Sequence, residues 1–380
     1  MANVKPSVTA NLKPSVTANQ KSSPLNTTAT YPAIDSIRRY ALEQRESAQA
    51  LIRNVLQMSD ISPQRFNAAM DALQSHGRIA LHFHPDRLDC RGLMVAEGLF
   101  NDGLYRNQFE THVSNGLLSP EIGGPRDHWE RAFFGSLCND KAARPKYGAL
   151  DLGLFVDGPS PRFGSCYFLC SEAVLQRSSF CYLDSYRTPR EKGTRDCFDM
   201  LLAALLSESF ERGYALGQSG LPPTQLIAHL LDSLPGSMNH RLELPLGGNL
   251  DHYIEAQVHG PLSLATDVDC LVADPSFNGT EVGQLLAALC GRYGVQLLWH
   301  RGRELLTDRV PRDFRGATMP ELARQVAIDG RVSAYAIGKA ARAARASDGR
   351  KRLEELKWLW HVLVRFGTPP STPVQTTAPT

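Results

Sequence analysis

Tyr253-Ile-Glu-Ala-Gln-Val-His-Gly260 is the stretch on which the reading of this chain turns. In an extended strand successive side chains point to opposite faces. Tyr253, Glu255, Gln257 and His259 then share one side, and Ile254, Ala256 and Val258 share the other. The second side is built for a core. A carboxylate, an amide and an imidazole in a row cost desolvation energy when buried without partners, so the first side is expected to floor a site. Far upstream, Ile79-Ala-Leu-His-Phe-His-Pro-Asp-Arg87 alternates in the same way. His82 and His84 fall on one face, Leu81 and Phe83 on the other, and Pro85 stops the ladder. The two strands are expected to face one cavity. For either histidine alone the simpler role is a surface or hydrogen-bonded core imidazole.

With 42% hydrophobic and 21% charged residues among 380, the chain can bury a substantial core in one large domain or two small ones. A formal net charge of +2 is too balanced to point to nucleic acid or a membrane surface, so the expected partner is a small-molecule or protein substrate. Eight cysteines without a Cys-x-x-Cys spacing favour reduced thiols over a disulfide framework or a zinc knuckle. No apolar run has the length of a membrane span, and the N-terminus lacks the apolar core of a Sec signal.

Working outward from the two strands, residues 1–32 differ in composition from the rest. Lys5-Pro-Ser-Val-Thr-Ala-Asn11 recurs as Lys13-Pro-Ser-Val-Thr-Ala-Asn19, and no acid precedes Asp35. Such a leader cannot bury enough apolar surface to offset its ordering entropy and is expected to be disordered. Its composition also resembles the secretion leaders of bacterial type III effectors. The expected location is therefore cytoplasmic, or secreted by a non-Sec route. Apolar spacing from Ile34 to Met58 and an N-cap at Ser62-Pro63 predict helices over 33–77, acting as a cap. The segment from Gly92 to Gly135 is irregular and rich in aromatic and polar residues, including Ser114-Asn-Gly116, and is expected to line the substrate side of the cavity. The alternative there is a helical hairpin with Arg106 and Glu110 paired at i,i+4.

Arg144 to Leu152 and Phe163 to Leu169 read as two strands linked by a Gly/Pro-rich turn. A short strand follows at Ser179 to Leu183, then leucine-rich helices over Thr194 to Gly213 and Leu221 to Leu234. Val268 to Asp274, a helix capped by Thr280, and Val295 to His300 predict a parallel crossover. The fold class is accordingly α+β: a single mixed-sheet core over 78–316, of a catalytic type, with helical N-terminal and C-terminal layers. The C-terminal helical segment covers 317–367, and a disordered tail covers 368–380.

Five separated blocks in order (His82-Phe-His-Pro-Asp-Arg87, Tyr105-Arg-Asn-Gln-Phe-Glu-Thr111, Arg144-Pro-Lys-Tyr-Gly-Ala-Leu150, Arg162-Phe-Gly-Ser-Cys-Tyr-Phe168 and the Tyr253 stretch) resemble the bacterial family of unknown function DUF3626, over roughly residues 75–340. That label implies no chemistry, so function must come from the residues.

Three chemistries compete. The strand pair with Tyr147-Gly and Phe163-Gly-Ser165 looks like the middle strands of the ADP-ribosyltransferase superfamily. The resemblance implies that His82 or His84 holds NAD, that Ser165 or Tyr167 positions the nicotinamide ribose, and that Glu255 stabilises the oxocarbenium-like charge as the glycosidic bond breaks. Arg87, Tyr105, Arg106, Tyr147 and His259 complete the expected cofactor contacts. In that superfamily the catalytic Glu comes two residues after another Glu or Gln, whereas Glu255 precedes Gln257, so the register decides which of the two takes the catalytic place. The second chemistry is a metal-dependent hydrolase, in which His82, His84 and His259, with Glu255 or His300, would bind zinc or manganese. The third is a noncatalytic ligand-binding or interaction protein. His84-Pro-Asp86 reproduces the tripeptide of J-domains, but it follows a strand here rather than joining two helices. No nucleophile elbow or phosphate loop is present.

Overall fold

Alternation at Ile254–Val258 and at Arg78–Phe83 is realised as two strands of one eight-stranded mixed sheet. A computed structural model describes residues 31–113, 120–135, 140–344 and 349–370. The leader up to Thr30, the Ser114-Asn-Gly116 stretch and the tail from Ser371 lie outside the described residues. In chain order the strands are β1 (Arg78–Phe83), β2 (Lys146–Asp151), β3 (Cys166–Cys170), β4 (Ser178–Tyr182), β5 (Lys192–Thr194), β6 (Tyr214–Ala215), β7 (Gln218–Ser219), β8 (Ile254–Val258), β9 (Val268–Ala273), β10 (Gln296–Trp299), β11 (Leu305–Leu306) and β12 (Arg331–Val332). The main sheet runs β10-β9-β3-β1-β2-β8-β4-β5, and β6-β7 and β11-β12 form separate two-stranded ribbons. Pairing is antiparallel except between β9 and β10, which the Glu281–Tyr293 helix joins as the expected parallel crossover. The architecture is α+β.

Three expectations are corrected. Strands β2 and β3 are not paired to each other, because β1 lies between them and bonds to both. The connection between them contains a 3-10 turn at Pro161–Phe163 and is too long for a tight hairpin, so each strand is free to take one edge of β1. The helical spacing from Ile34 to Met58 is two helices, Pro32–Glu43 and Arg45–Met58. They break at Gln44, whose N–H turns back to Ala41 and Leu42. Among its described residues the irregular segment before β2 holds three helices, Val95–Asp102, Gln108–Thr111 and Pro125–Phe134, each too short to build a clear period. The Pro63–His76 helix is capped as expected, with the Ser62 hydroxyl accepting from the Arg65 N–H at 3.2 Å, a contribution of about 1 kcal/mol.

Register settles which side chains share a face. Tyr147 lies opposite Gln257 and Ala149 opposite Glu255, while Ala80 lies opposite Ala149. His82, Tyr147, Glu255 and Gln257 therefore project from the same side of the sheet. The other side sends Ile79, Leu81, Ala256 and Val258 into the main core, beneath helices that include Arg45–Met58, Pro63–His76 and Asp199–Arg212. On the polar side, Phe133 and Phe134 of the Pro125–Phe134 helix pack with Ala33, Ile37 and Cys181 over β4. Met238 packs against the residues of β3 and β9 on this side, with Leu298 of β10 beside them. A cleft opens on this polar side, with Arg126 and Trp129 of the Pro125–Phe134 helix in its lining. The C-terminal helices are Met319–Val326, Ala334–Ala343 and Gly349–Phe366, and from the last of them the Trp360 indole donates at 2.9 Å to the Pro161 carbonyl, in the loop that carries Arg162. Among the described residues no helix is long and apolar enough to cross a membrane.

Candidate active site

The cleft encloses about 350 Å³ and is lined by His82, His84, Arg87, Tyr105, Arg106, Tyr147 and Glu255 among others. Seven residues singled out in the sequence are thus brought together, contributed by β1, β2, β8 and the segment before β2. Seven Arg and Lys side chains against five Asp and Glu side chains line the same space, so the cleft favours an anion.

Glu255 sits on the floor, 5% exposed. One carboxylate oxygen accepts from the Ser185 N–H at 3.2 Å and the other from the Gln257 amide at 3.0 Å. Burial, with the neighbouring Asp184 charge, pushes its pKa up to about 7, against the opposing effect of these two bonds and Arg126. Such a carboxylate changes charge near neutral pH. Gln257 does not line the cleft. Its amide donates to Glu255 and to the Cys181 sulfur, and its oxygen accepts from the Ser179 hydroxyl at 2.9 Å. Of these two side chains, Glu255 therefore faces the cleft and Gln257 holds it from behind. Ser179 also meets His259 Nε2 at 3.1 Å, and His259 is enclosed by Tyr31 and Phe134, away from the cleft. Burial, with Lys146 and Arg177 nearby, lowers its pKa to about 3 and keeps it neutral.

His82 is a latch rather than an open base. Its Nδ1 lies 3.3 Å from the Gly164 carbonyl and its Nε2 accepts from the Ser160 N–H at 3.3 Å, which assigns the Nδ1–H tautomer. Burial lowers its pKa to about 4. The loop it fastens carries Arg162 and Phe163 into the cleft. Gly158 in this loop has φ +78°, and a Cβ there would stand 2.6 Å from His82 Nε2, so both backbone and space demand glycine. His84 is half-buried, its Nδ1 3.4 Å from the Ser165 hydroxyl and its ring edge-on to Trp360 at 5.0 Å. Burial, followed by the Arg87 and His82 charges, lowers it to about 3. Ser165 and Tyr167 do not reach the cleft lining: Ser165 supports His84, and the Tyr167 hydroxyl donates to the Val156 carbonyl at 3.0 Å. The Tyr105 hydroxyl donates to the His82 carbonyl at 3.3 Å, and its ring packs on Phe83 and Phe168. Arg106 bonds Asp102 at 2.8 Å and Glu110 at 2.9 Å, so the i,i+4 pair forms at the edge of the cleft.

Three side chains that the sequence reading did not single out complete the site. Arg126 stacks over the Tyr147 ring at 4.2 Å and bonds Glu130 at 3.3 Å, while Tyr147 donates to Glu130 at 2.7 Å. Arg162 pairs with Asp251, lies 3.7 Å from Asp184 and stacks over Phe163. Asp184 accepts from the Tyr253 hydroxyl at 3.0 Å and, as an N-cap, from the Tyr186 N–H. Arg162 opens one of the quoted blocks, and Arg126 lies in the Gly123 to Arg131 stretch, but lone arginines in loops carry no spacing signal.

For the metal alternative, His82 has both nitrogens committed to backbone, His259 is enclosed by Tyr31 and Phe134 away from the cleft, and His300 accepts from Gly302 N–H at 3.0 Å through Nδ1. Among the described residues no group of three His, Cys, Asp or Glu side chains is arranged to hold a metal ion.

Residues 78–366 match the family DUF3626, described as a protein of unknown function. The chain belongs to DUF3626. The DUF3626 match spans all eight strands of the main sheet and every cleft residue named above, while the helices Pro32–Glu43, Arg45–Met58 and Pro63–His76 precede it. No curated protein matches the chain.

Proposed function

We propose that the cleft takes a nucleotide bearing a pyrophosphate, with NAD as the leading candidate, and that Glu255 acts at its N-glycosidic bond in ADP-ribosyl transfer or NAD cleavage. The observation that carries this reading is the placement of one buried carboxylate, poised near neutral pH, among arginines and aromatic rings. The anion-favouring lining suits the pyrophosphate, with Arg126, Arg162 and Arg187 among the cations that line it. Tyr147, Trp129 and Phe163 offer faces for the nicotinamide or adenine ring.

In this scheme the ionised Glu255 accepts a hydrogen bond from the ribose and stabilises the positive charge that grows on the sugar as its C–N bond breaks. The bonding pair leaves with nicotinamide, which departs neutral. Water or a protein nucleophile then adds to the ribosyl carbon, and its proton passes to a carboxylate at the floor, Glu255 or Asp184. Gln257 and the Ser185 N–H hold Glu255 in position throughout.

The test incubates the full chain with NAD and measures nicotinamide. Release should fall by about two to three orders of magnitude in Glu255→Gln, as on removal of a charge-stabilising group. Because the ionised form acts, the rate should climb with pH through about 7 and then level. NAD binding without release by the native chain would leave a noncatalytic receptor. Neither binding nor release would overturn the reading.

A further inference from the structure

On the opposite side of the sheet, away from the cleft, a second cavity of about 470 Å³ lies between the helices Arg45–Met58, Pro63–His76 and Asp199–Arg212. Its wall is apolar: Ile52 and Leu56 from the first helix, Met70 from the second, Leu202 from the third, and Leu150 and Phe180 from the sheet. Well-packed interiors leave few voids larger than a water, and a space of this size falls in the range of ligand pockets. Three arginines stand at its rim. Arg53 is exposed and has no ion pair among the described residues. Arg195 bonds the Gln74 carbonyl and Glu172, yet its buried Nε lacks a partner. Arg45 pairs with Asp199 at 3.4 Å. Asp196 also lies at the rim, where it accepts from Arg38 and Thr194. The lining therefore keeps one positive charge in excess.

We infer that this cavity binds a single-chain amphiphile with a carboxylate head, a long-chain fatty acid, with its hydrocarbon chain among Leu56, Met70 and Leu202 and its head at Arg53 and Arg195. An apolar chamber with a cationic mouth matches that chemistry, since the chain leaves water while the carboxylate stays at the solvent edge. Residues 45–76 supply two of the walls and precede the family match, so the site belongs to the N-terminal helices of this chain as much as to the sheet. It is independent of the cleft reading.

The experiment uses the full chain with cis-parinaric acid as a fluorescent fatty acid, palmitate as competitor and methyl palmitate as the uncharged control. Saturable binding displaced by palmitate is expected, weakened about tenfold or more by Leu202→Trp, which fills the chamber, and by the pair Arg53→Glu with Arg195→Glu. Leu56→Phe is a milder filling variant, should Leu202→Trp lower the melting temperature. Glu255→Gln should leave binding unchanged. Non-saturable binding, or full binding in folded chamber-filling variants, would overturn the site. Equal competition by methyl palmitate would overturn the role of the arginines and with it the ligand class.

Discussion

The two ends of one strand face behave differently, although the sequence writes them alike. At the His259 end of β8, imidazole, hydroxyl and amide satisfy one another through Ser179 and Gln257 under a lid of Phe134 and Tyr31. At the Glu255 end the row stops at a carboxylate with two protein partners and an open cleft beyond it. Since a carboxylate has about four acceptor positions, capacity remains for a ligand. The difference lies in the cover. The helix Pro125–Phe134 closes one end with its aromatic residues and presents Arg126 and Trp129 to the other. Buried polar groups become structure where they are paired and covered, and become a site where one is left facing a cavity.

The largest effect that would break this contrast is on the cover itself. Arg144 is fully buried and bridges Asp127 and Glu130 of that helix. Arg144→Met should cost about 3–5 kcal/mol in urea unfolding, because two carboxylates lose their buried partner. A cost under about 1 kcal/mol would mean that the cover does not depend on it. Next comes the open end. The folded-state pKa of Glu255 is raised, so its proton stabilises the fold most below the ordinary carboxylate range. That stabilisation is lost as pH rises from about 4.5 to about 7. A shift of this size corresponds to roughly 3 kcal/mol. Glu255→Gln should remove the dependence, read from denaturation midpoints between pH 4 and 8.

Cutting the row between its ends gives a smaller effect. Gln257→Leu should cost about 1–3 kcal/mol and move the pH midpoint of the proposed NAD cleavage upward, because Glu255 loses a donor that favours its charge. An unchanged midpoint would separate Gln257 from the site. His82→Phe removes two backbone bonds and should cost about 1–2 kcal/mol while raising KM more than it lowers kcat, since the Arg162 loop loosens. Equal effects on the two constants would place His82 closer to the chemistry. Ser62→Ala, remote from both ends, should cost only about 1 kcal/mol and leave the pH dependence intact.

Period-two alternation determined, from the sequence alone, that Ile79 to Phe83 and Ile254 to Val258 are strands and which residues within each share a face, while the pairing through β2 put His82 and Glu255 on the same side of the sheet. The side-chain period of a strand is local, as are the Ser62 cap and the Thr280 start of the crossover helix. The family blocks were legible too, because they are short and in order. Tertiary structure alone decided that β1 separates β2 from β3, and that Glu255 rather than Gln257 meets the cleft. It also turned His82 to backbone, Ser165 to His84, and Tyr167 to Val156. Arg126, Arg162 and Asp184 entered the site from loops and a helix whose placement has no periodic signature. Alternation fixes the direction of a side chain from its own backbone. Whether that direction ends in water, in a partner or in a ligand depends on what distant segments pack above it, and those contacts form only when the chain is folded.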